Sequence, residues 1–291
     1  MAGAGVRDFK RRIRSVKSTQ QITKAMKMVS AAKLRRAQER AEMSRPYTES
    51  LKVTLAHLDS NEGEEKLALL QVREEVKKVA YVVITAEKGL CGGYNTNIIR
   101  LANDTIAMDE RPVEAGIIAV GRKARDFYRK RQGLEAEFIG LGDNVSYADA
   151  KDIADYIINA YEIEEYDEVY IVYAKFVNMI RQIPTVSRVL PVEPPSGEDA
   201  LAEVNIKYIY EPDADSILLN LLPRYVGSQI YHAMLEGKAS EFGARMTAMS
   251  NATENAGEII EKLTLKMNKV RQAAITDEIL DIVGGSEALK K

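Results

Sequence analysis

The segment of this chain best suited to bind a phosphate group is the glycine-rich loop Gly89-Leu90-Cys91-Gly92-Gly93. It lies between a β-branched run and a helical stretch, where backbone N–H groups can bind phosphate oxygens. The loop matches neither G-x-G-x-x-G nor G-x-x-x-x-G-K-[ST], and the lysine of the second motif is missing. We therefore favour a tight strand-to-helix turn that uses glycine for its backbone angles, and keep nucleotide binding as the minor interpretation.

Other side chains that could carry chemistry are few. Cys91 is the only cysteine, so no intrachain disulfide can form, and no general base lies near it in the sequence. The two histidines, His57 and His232, lie in helical segments and are too few for a transition-metal site. The acidic run 164–168 is typical of a solvated surface segment. We predict that this chain has no catalytic residue and binds no cofactor or metal ion.

Charge is distributed unevenly along the chain. The net charge is only −2, yet residues 1–40 carry +10 and residues 41–235 carry about eleven net negative charges. A basic end on an acidic body indicates an anionic partner for that end. Nucleic acid is disfavoured, because Phe9 is the only aromatic residue before Tyr47 and the acidic body would repel a polyanion. A solvated or protein-facing basic helix is the preferred interpretation.

The sequence shows no segment suited to membrane insertion. Its longest apolar run, around Val79–Ile84, is far shorter than the roughly 20 residues of a membrane span. Charges run through the N-terminus without an apolar core, so no signal peptide is visible. We expect a reducing compartment, and contact with a membrane only through another protein.

Both ends of the chain have helical patterns. Residues 3–58 are predicted to form one long helix with a bend or break at Pro46, since an interior proline costs about 3 kcal/mol. A second helix is predicted from Asp213 to Val283. We expect Pro223 to kink or restart it and Gly284-Gly285 to end it.

Apolar residues of the second helix recur at alternating steps of three and four. This spacing is typical of a coiled coil, and the seam would be roughly 50 Å long. If the two ends emerge from the same side of the intervening domain, their helices run antiparallel. The seam residues are Ala239, Phe242, Met246, Met249, Thr253, Ala256, Ile260, Leu263, Met267, Val270 and Ala274.

The middle of the chain alternates between strand and helix patterns, which predicts a mostly parallel sheet. Two later strands lack an intervening helix and favour antiparallel pairing. The predicted class is α/β, with a long antiparallel coiled coil of N- and C-terminal helices plus a central Rossmann-like α/β domain. The predicted domains are 1–60, 70–210 and 211–286. The predicted strands are 78–85, 115–120, 168–174, 185–192 and 204–210, and the predicted helices between them are 97–108, 123–131 and 147–161.

Five blocks of sequence point to a known family. Their composition and order resemble the gamma subunit of F-type ATP synthases, and the resemblance extends from residue 1 to 285. The blocks are ITKAMKMVSAAKL at 22–34, GLCGGYN at 89–95, YIYEP at 208–212, ARMTAM at 244–249, and the end of the chain with RQAAIT at 271–276 and IVGG at 282–285.

The resemblance implies a rotor shaft that couples transmembrane proton flow to ATP synthesis or hydrolysis. In that family the terminal helices form an antiparallel coiled coil inside a hexamer of alternating alpha and beta subunits. The α/β domain lies near the epsilon subunit and the ring of c subunits, on the cytoplasmic face of the bacterial plasma membrane. The catalytic groups then belong to the partners. The alternative is an independent nucleotide-binding α/β protein with a basic helical arm.

The resemblance also implies partner contacts at particular residues of this chain. Met26 would lie near a loop of the beta subunit. The competing interpretation is a set of solvated side chains, for which surface ion pairs contribute about 0–1 kcal/mol. The other implied contacts are Lys24, Lys33, Arg35 and Arg36 with acidic loops of beta, Arg245, Arg271 and Gln272 with the hexamer, and Tyr208, Tyr210 and Glu211 near the c ring.

Overall fold

The computed structural model describes residues 2–58, 67–131, 133–193 and 214–288. The strand predicted at 204–210 and the contacts predicted for Tyr208, Tyr210 and Glu211 lie outside the described residues. The elements are α1 (Ala2–Leu58), β1 (Lys78–Ile84), α2 (Tyr94–Met108), β2 (Glu114–Val120), α3 (Arg122–Tyr128), β3 (Leu134–Phe138), α4 (Tyr147–Glu162), β4 (Glu168–Phe176), β5 (Gln182–Leu190) and α5 (Ala214–Ala288).

The strands form one five-stranded sheet in the order β3-β2-β1-β4-β5. The first four strands are parallel, and β5 pairs antiparallel with β4. Helices connect the parallel strands, whereas only residues 177–181 connect β4 to β5, too few for a parallel crossover. The predicted parallel sheet with an antiparallel end is therefore confirmed.

Apolar layers cover both faces of the sheet, because alternate residues of a strand point to opposite faces. In β1, Ala80, Val82 and Ile84 pack with α4, the end of α1 and the first part of α5. The alternate residues Val79, Tyr81 and Val83 pack with α2 and α3. Helix α4 packs on the first of these faces. A reciprocal capping box between Ser146 and Asp149 fixes where this helix begins.

The chain divides into two compact units. We call residues 30–245 the body, and the helix pair is α1 up to Val29 together with α5 from Met246 onward. Both long helices contribute to both units.

Side-chain contacts in the helix pair show that its helices run antiparallel. The Thr23 and Thr253 hydroxyls are 2.8 Å apart, and Lys27 Nζ donates to Ser250 Oγ at 2.9 Å. Near the start of α1, Gly5 faces Val270. Residue numbers therefore fall on α5 as they rise on α1. All seam residues from Met246 to Ala274 are buried or half-buried, which confirms the predicted coiled coil.

The structure shows no break at Pro46, no restart at Pro223 and no helix end at Gly284-Gly285. The helix α1 continues through Pro46, and α5 continues through Pro223. The carbonyl groups that these prolines leave unbonded belong to Glu42 and Leu219, both on exposed surface where water can satisfy them. The predicted stop at Gly284-Gly285 is also wrong, since α5 continues to Ala288.

The strand β3 was not predicted from the sequence. Its residues Leu134–Phe138 include Glu135 and Glu137, and acidic residues are depleted in strands. It lies at an edge of the sheet and pairs only with β2 among the described strands. The edge strand β5 begins three residues before the predicted Thr185 and includes Pro184, which an edge strand tolerates.

Candidate functional site

The crevice in which doubly wound proteins bind ligands is filled here by helix α5. Such crevices lie outside the carboxyl ends of the strands, where the strand order reverses, which in this sheet is between β1 and β4. At that position Ser240 Oγ donates to the carbonyl of Ala174 in β4 at 2.8 Å. The hydroxyl of Tyr94, at the start of α2, donates to the carbonyl of Gly237 at 2.9 Å. The space for a ligand is therefore taken by the chain itself.

The glycine-rich loop presents carbonyl groups to α5. Arg245 Nη2 donates to the carbonyl oxygens of Lys88 and Gly89 at 3.4 and 3.2 Å. A phosphate site would instead direct N–H groups at its ligand. Leu90 and Gly92 have positive φ angles of 63° and 58°. The loop is a tight turn, as the favoured interpretation predicts.

The side chain of Asn95 stabilises the loop from the first turn of α2. Its Oδ1 accepts a hydrogen bond from the Ala86 N–H at 2.9 Å, and its Nδ2 donates to Cys91 Sγ at 3.1 Å. Burial raises the pKa of the Cys91 thiol, and the nearby Arg245 offsets part of that rise. A buried thiol with a raised pKa is a poor nucleophile, so Cys91 is a packing residue.

A buried ion-pair network lies on the α5 face that meets the loop. Glu241 is 4% exposed and pairs with Arg245 Nη1 at 2.7 Å and with Lys238 Nζ at 3.3 Å. The two cations offset the cost of burying a carboxylate. The cavity beside this network, lined by Thr85 and Gly121 among others, has a volume of about 10 Å³, enough for one water molecule.

The predicted contact residues differ in exposure. Met26 and Lys33 are half-buried, and Arg245 is buried at 9% exposure. Lys33 Nζ pairs with Asp143 at 2.6 Å and lies 5.7 Å from the centre of the Phe242 ring. Arg35 pairs with Glu39 on the surface of α1. The exposed members of the predicted set are Lys24, Arg35, Arg36, Arg271 and Gln272.

An exposed apolar surface at the end of α5 was missed in the sequence. All residues from Ile275 to Ser286 are exposed. Because Gly5 faces Val270, few of the described residues of α1 lie beyond this point to cover α5. The sequence signal for this exposed end was the greater predicted length of the second helix, 213–283, compared with the first, 3–58. The large apolar side chains involved are Ile275, Ile279, Leu280, Ile282 and Val283, between 49% and 72% exposed.

A larger groove in the body was also missed. It has a volume of about 720 Å³ and lies between α1, the start of α4 and α5. Met43 and Tyr47 line it from α1, Tyr147 from α4 and Tyr231 from α5. Methionine and tyrosine are enriched in protein–protein interfaces, so the groove is suited to a protein partner.

No helix among the described residues has the length and hydropathy needed to span a membrane. The same residues contain no cluster of three or more His, Cys, Asp or Glu side chains able to hold a metal ion.

Comparison with known proteins gives consistent matches over nearly the whole chain. The family model described as ATP synthase matches residues 5–289. The ATP synthase gamma chain of Desulfitobacterium hafniense is 52% identical, over 99% of this chain and 100% of the relative. That of Pelotomaculum thermopropionicum is also 52% identical, over 98% of this chain and 99% of the relative.

Solved structures with a similar fold come from mitochondrial ATP synthases. The central stalk and c ring structure from Tetrahymena thermophila matches with a TM-score of 0.61 and 26% identity, covering 79% of this chain and 99% of that one. A rotor structure from Euglena gracilis matches with a TM-score of 0.67 and 21% identity, covering 94% and 99%. The second likeness is one of fold alone.

Proposed function

This chain belongs to the ATP synthase gamma chain family, and we propose that it is the central rotor shaft of an F-type ATP synthase. In this role it couples transmembrane proton flow to ATP synthesis or hydrolysis in a hexamer of alpha and beta subunits. The observation that carries the proposal is the antiparallel helix pair. Its two helices meet at Thr23 and Thr253, and one of them continues as an exposed apolar helix end.

The proposed mechanism needs only an asymmetric rod. A pair of unequal helices has no threefold symmetry, so it contacts three equivalent catalytic partners in three different ways. Differential contact energy is sufficient to favour a different conformation in each partner. Rotation of the rod then moves each partner through the same sequence of conformations. The chain itself is non-catalytic in this proposal, and the catalytic groups belong to the hexamer.

The proposed partner contacts follow the exposure of the side chains. Lys24, Arg35 and Arg36 are exposed cations suited to acidic loops of beta, and Arg271 and Gln272 are exposed on α5. Met26 is half-buried in the helix pair, and we place it near a loop of the beta subunit. Lys33 would have to exchange its ion pair with Asp143 for a partner carboxylate.

The remaining partners are assigned to the body. We place the epsilon subunit and the c ring there, with Tyr208, Tyr210 and Glu211 near the c ring. The protein would then be peripheral, on the cytoplasmic face of the bacterial plasma membrane, and held there through the c ring. Nucleic acid has no part in this proposal.

The test is reconstitution of the purified full chain with matching alpha and beta subunits. We expect one copy of the chain for each hexamer, together with a gain in ATPase activity over alpha and beta alone. Isothermal titration of the isolated chain with ATP and ADP provides the contrast. Tight stoichiometric nucleotide binding without assembly would favour the independent nucleotide-binding protein instead.

A further inference from the structure

Arg245 is predicted as a contact with the hexamer, yet its side chain is used inside the chain. Its residue exposure is 9%. One guanidinium nitrogen pairs with Glu241, and another donates to the carbonyls of Lys88 and Gly89. Hydrogen bonds with a charged partner are roughly twice as strong as neutral ones. These contacts join the loop that follows β1 to helix α5.

The segment that Arg245 holds has an unfavourable conformation. Leu90 has a φ angle of 63°, a region that β-carbon sterics make costly for leucine, and its side chain is 65% exposed. Cys91, directly after it, is 1% exposed. A turn of this kind persists only when its surroundings fix it. Arg245 fixes the carbonyls on one side of Leu90, and Asn95 fixes Cys91 on the other.

We propose that Arg245 is a positioning residue that holds the glycine-rich loop against α5, so that β1 and the shaft helix rotate together as a rigid body. We call the contacts of Arg245 with Glu241, Lys88 and Gly89 the clamp. Two other side-chain hydrogen bonds support this joint, from Tyr94 to Gly237 and from Ser240 to Ala174. The clamp consists only of contacts within this chain. Its part in passing torque between α5 and the sheet rests on the proposed rotor function.

The native Cys91 thiol reports directly on the clamp, because it is the only cysteine in the chain. The experiment measures the rate at which a thiol reagent such as DTNB modifies Cys91 in the folded, isolated full chain. We expect Arg245→Gln to accelerate modification by about tenfold to a hundredfold, since charge-assisted hydrogen bonds that hold the loop closed are lost. Arg245→Lys keeps the charge but not the forked donors, and should give an intermediate rate.

Electrostatics alone predicts the opposite sign for Arg245→Gln. The Arg245 charge lowers the pKa of the Cys91 thiol, so its removal raises that pKa and reduces the reactive thiolate at neutral pH. Faster modification can therefore come only from opening of the loop or of the whole protein. Ile153→Ala controls for the second cause, since Ile153 is a fully buried residue of α4 in the other apolar layer. Arg35→Gln, at an exposed arginine, is the matched arginine control.

An unchanged rate in Arg245→Gln would overturn the clamp. So would an acceleration no larger than that of Ile153→Ala at the same loss of melting temperature.

The torque part is tested in the assembled, membrane-reconstituted enzyme. We expect Arg245→Gln to lower the protons pumped per ATP hydrolysed more than it lowers hydrolysis, with Arg245→Lys partly restoring pumping. A variant with a reactive Cys91 and wild-type pumping per ATP would disprove the torque role. If the wild-type chain neither assembles nor supports pumping, the proposed function and the torque role fail together. The thiol rates still decide the clamp in that case.

Discussion

The body and the helix pair use the same two helices in different ways. In the body, α5 presents apolar residues such as Val226, Ile230 and Met234 to a closed core. In the helix pair, polar side chains join the helices at Thr23–Thr253 and Lys27–Ser250, and most of the α5 surface is exposed. The body can thus stabilise itself by burial, whereas the helix pair buries its seam but leaves apolar residues such as Leu265 and Ile282 exposed, and only a surface from outside the chain would cover them.

The largest difference between the body and the helix pair should appear when a leucine of each is truncated to alanine. Leu222→Ala, at a residue 1% exposed in the body, should reduce the free energy of unfolding by about 2–5 kcal/mol, because it leaves a cavity. Leu265→Ala, at a residue 64% exposed in the helix pair, should change it by less than about 0.5 kcal/mol. Urea unfolding of the isolated chain, followed through tyrosine fluorescence, measures both. Equal losses would mean that the helix pair is as self-sufficient as the body.

The functional counterpart is a charge introduced into the helix pair. Met26→Lys should reduce protons pumped per ATP hydrolysed severalfold in the reconstituted enzyme, because a new cation would enter a half-buried, tight interface. The melting temperature of the isolated chain should change much less. Met28→Lys is the matched control, since Met28 is 62% exposed on the same helix. Wild-type pumping by Met26→Lys would remove Met26 from the proposed contacts.

A smaller effect is expected from the polar contacts that join the helix pair. Thr23→Val and Thr253→Val remove the two hydroxyls that lie 2.8 Å apart. Their double-mutant cycle should give a coupling energy of about 0.5–1.5 kcal/mol in the unfolding of the isolated chain, the usual net value of a hydrogen bond. Each hydroxyl has a single proton, which Thr253 can donate to the Met249 carbonyl and Thr23 to the Gln20 carbonyl instead of to each other. A coupling energy near zero would show that both protons go to these carbonyls.

A pH-dependent difference is predicted for the ion pair between Lys33 and Asp143. The hydrogen bond from Lys33 holds the pKa of Asp143 below its ordinary value. A depressed folded-state pKa contributes stability above the ordinary aspartate pKa, and this contribution disappears as pH falls through the folded-state pKa. Wild type should therefore melt slightly above Asp143→Asn at pH 7, with the gap closing below about pH 4. A gap that widens in acid would reverse the sign assigned to this pair.

Elements of the body and the helix pair could be predicted from the sequence where a periodic pattern marks the buried face. The seam residues of α5 and the β-branched strands were identified because periodicity directly reports which face is buried. Strand β3 was missed, because Glu135 and Glu137 have weak strand propensity and only the pairing with β2 makes them a strand. The uninterrupted helices at Pro46 and Pro223 depend on solvent access to the freed carbonyls, which no local pattern encodes.

The partners of Arg245 in the candidate site could not be predicted from local sequence either. Sequence resemblance placed Arg245 among the contacts with the hexamer, whereas the structure buries it inside the chain at 9% exposure. Its burial depends on Glu241 one turn away and on carbonyls about 156 residues earlier in the chain. Local spacing could suggest the first of these partners but not the second. Long-range polar contacts of this kind are set by tertiary structure.

The smallest effect on the isolated chain should come from removing the end of α5. A chain that lacks its last twelve residues loses Leu280, Ile282 and Val283, which are 55–72% exposed. Because these side chains are largely in water before and after truncation, the melting temperature should stay within about 2 °C of the full chain. Assembly with alpha and beta should weaken without being lost, since contacts within the helix pair such as the hydrogen bond from Gln20 to the Thr253 carbonyl are kept.

Truncation therefore tests the contrast between a self-sufficient body and a partner-dependent helix pair at its outermost point. A matched chain with Ile282→Ser and Val283→Ser keeps the length and removes only apolar surface. If the apolar surface carries the contact, the serine chain should lose hexamer affinity as the truncated chain does. Complete loss of assembly after so short a truncation would contradict the shaft, because a rod held along its length keeps most of its contacts.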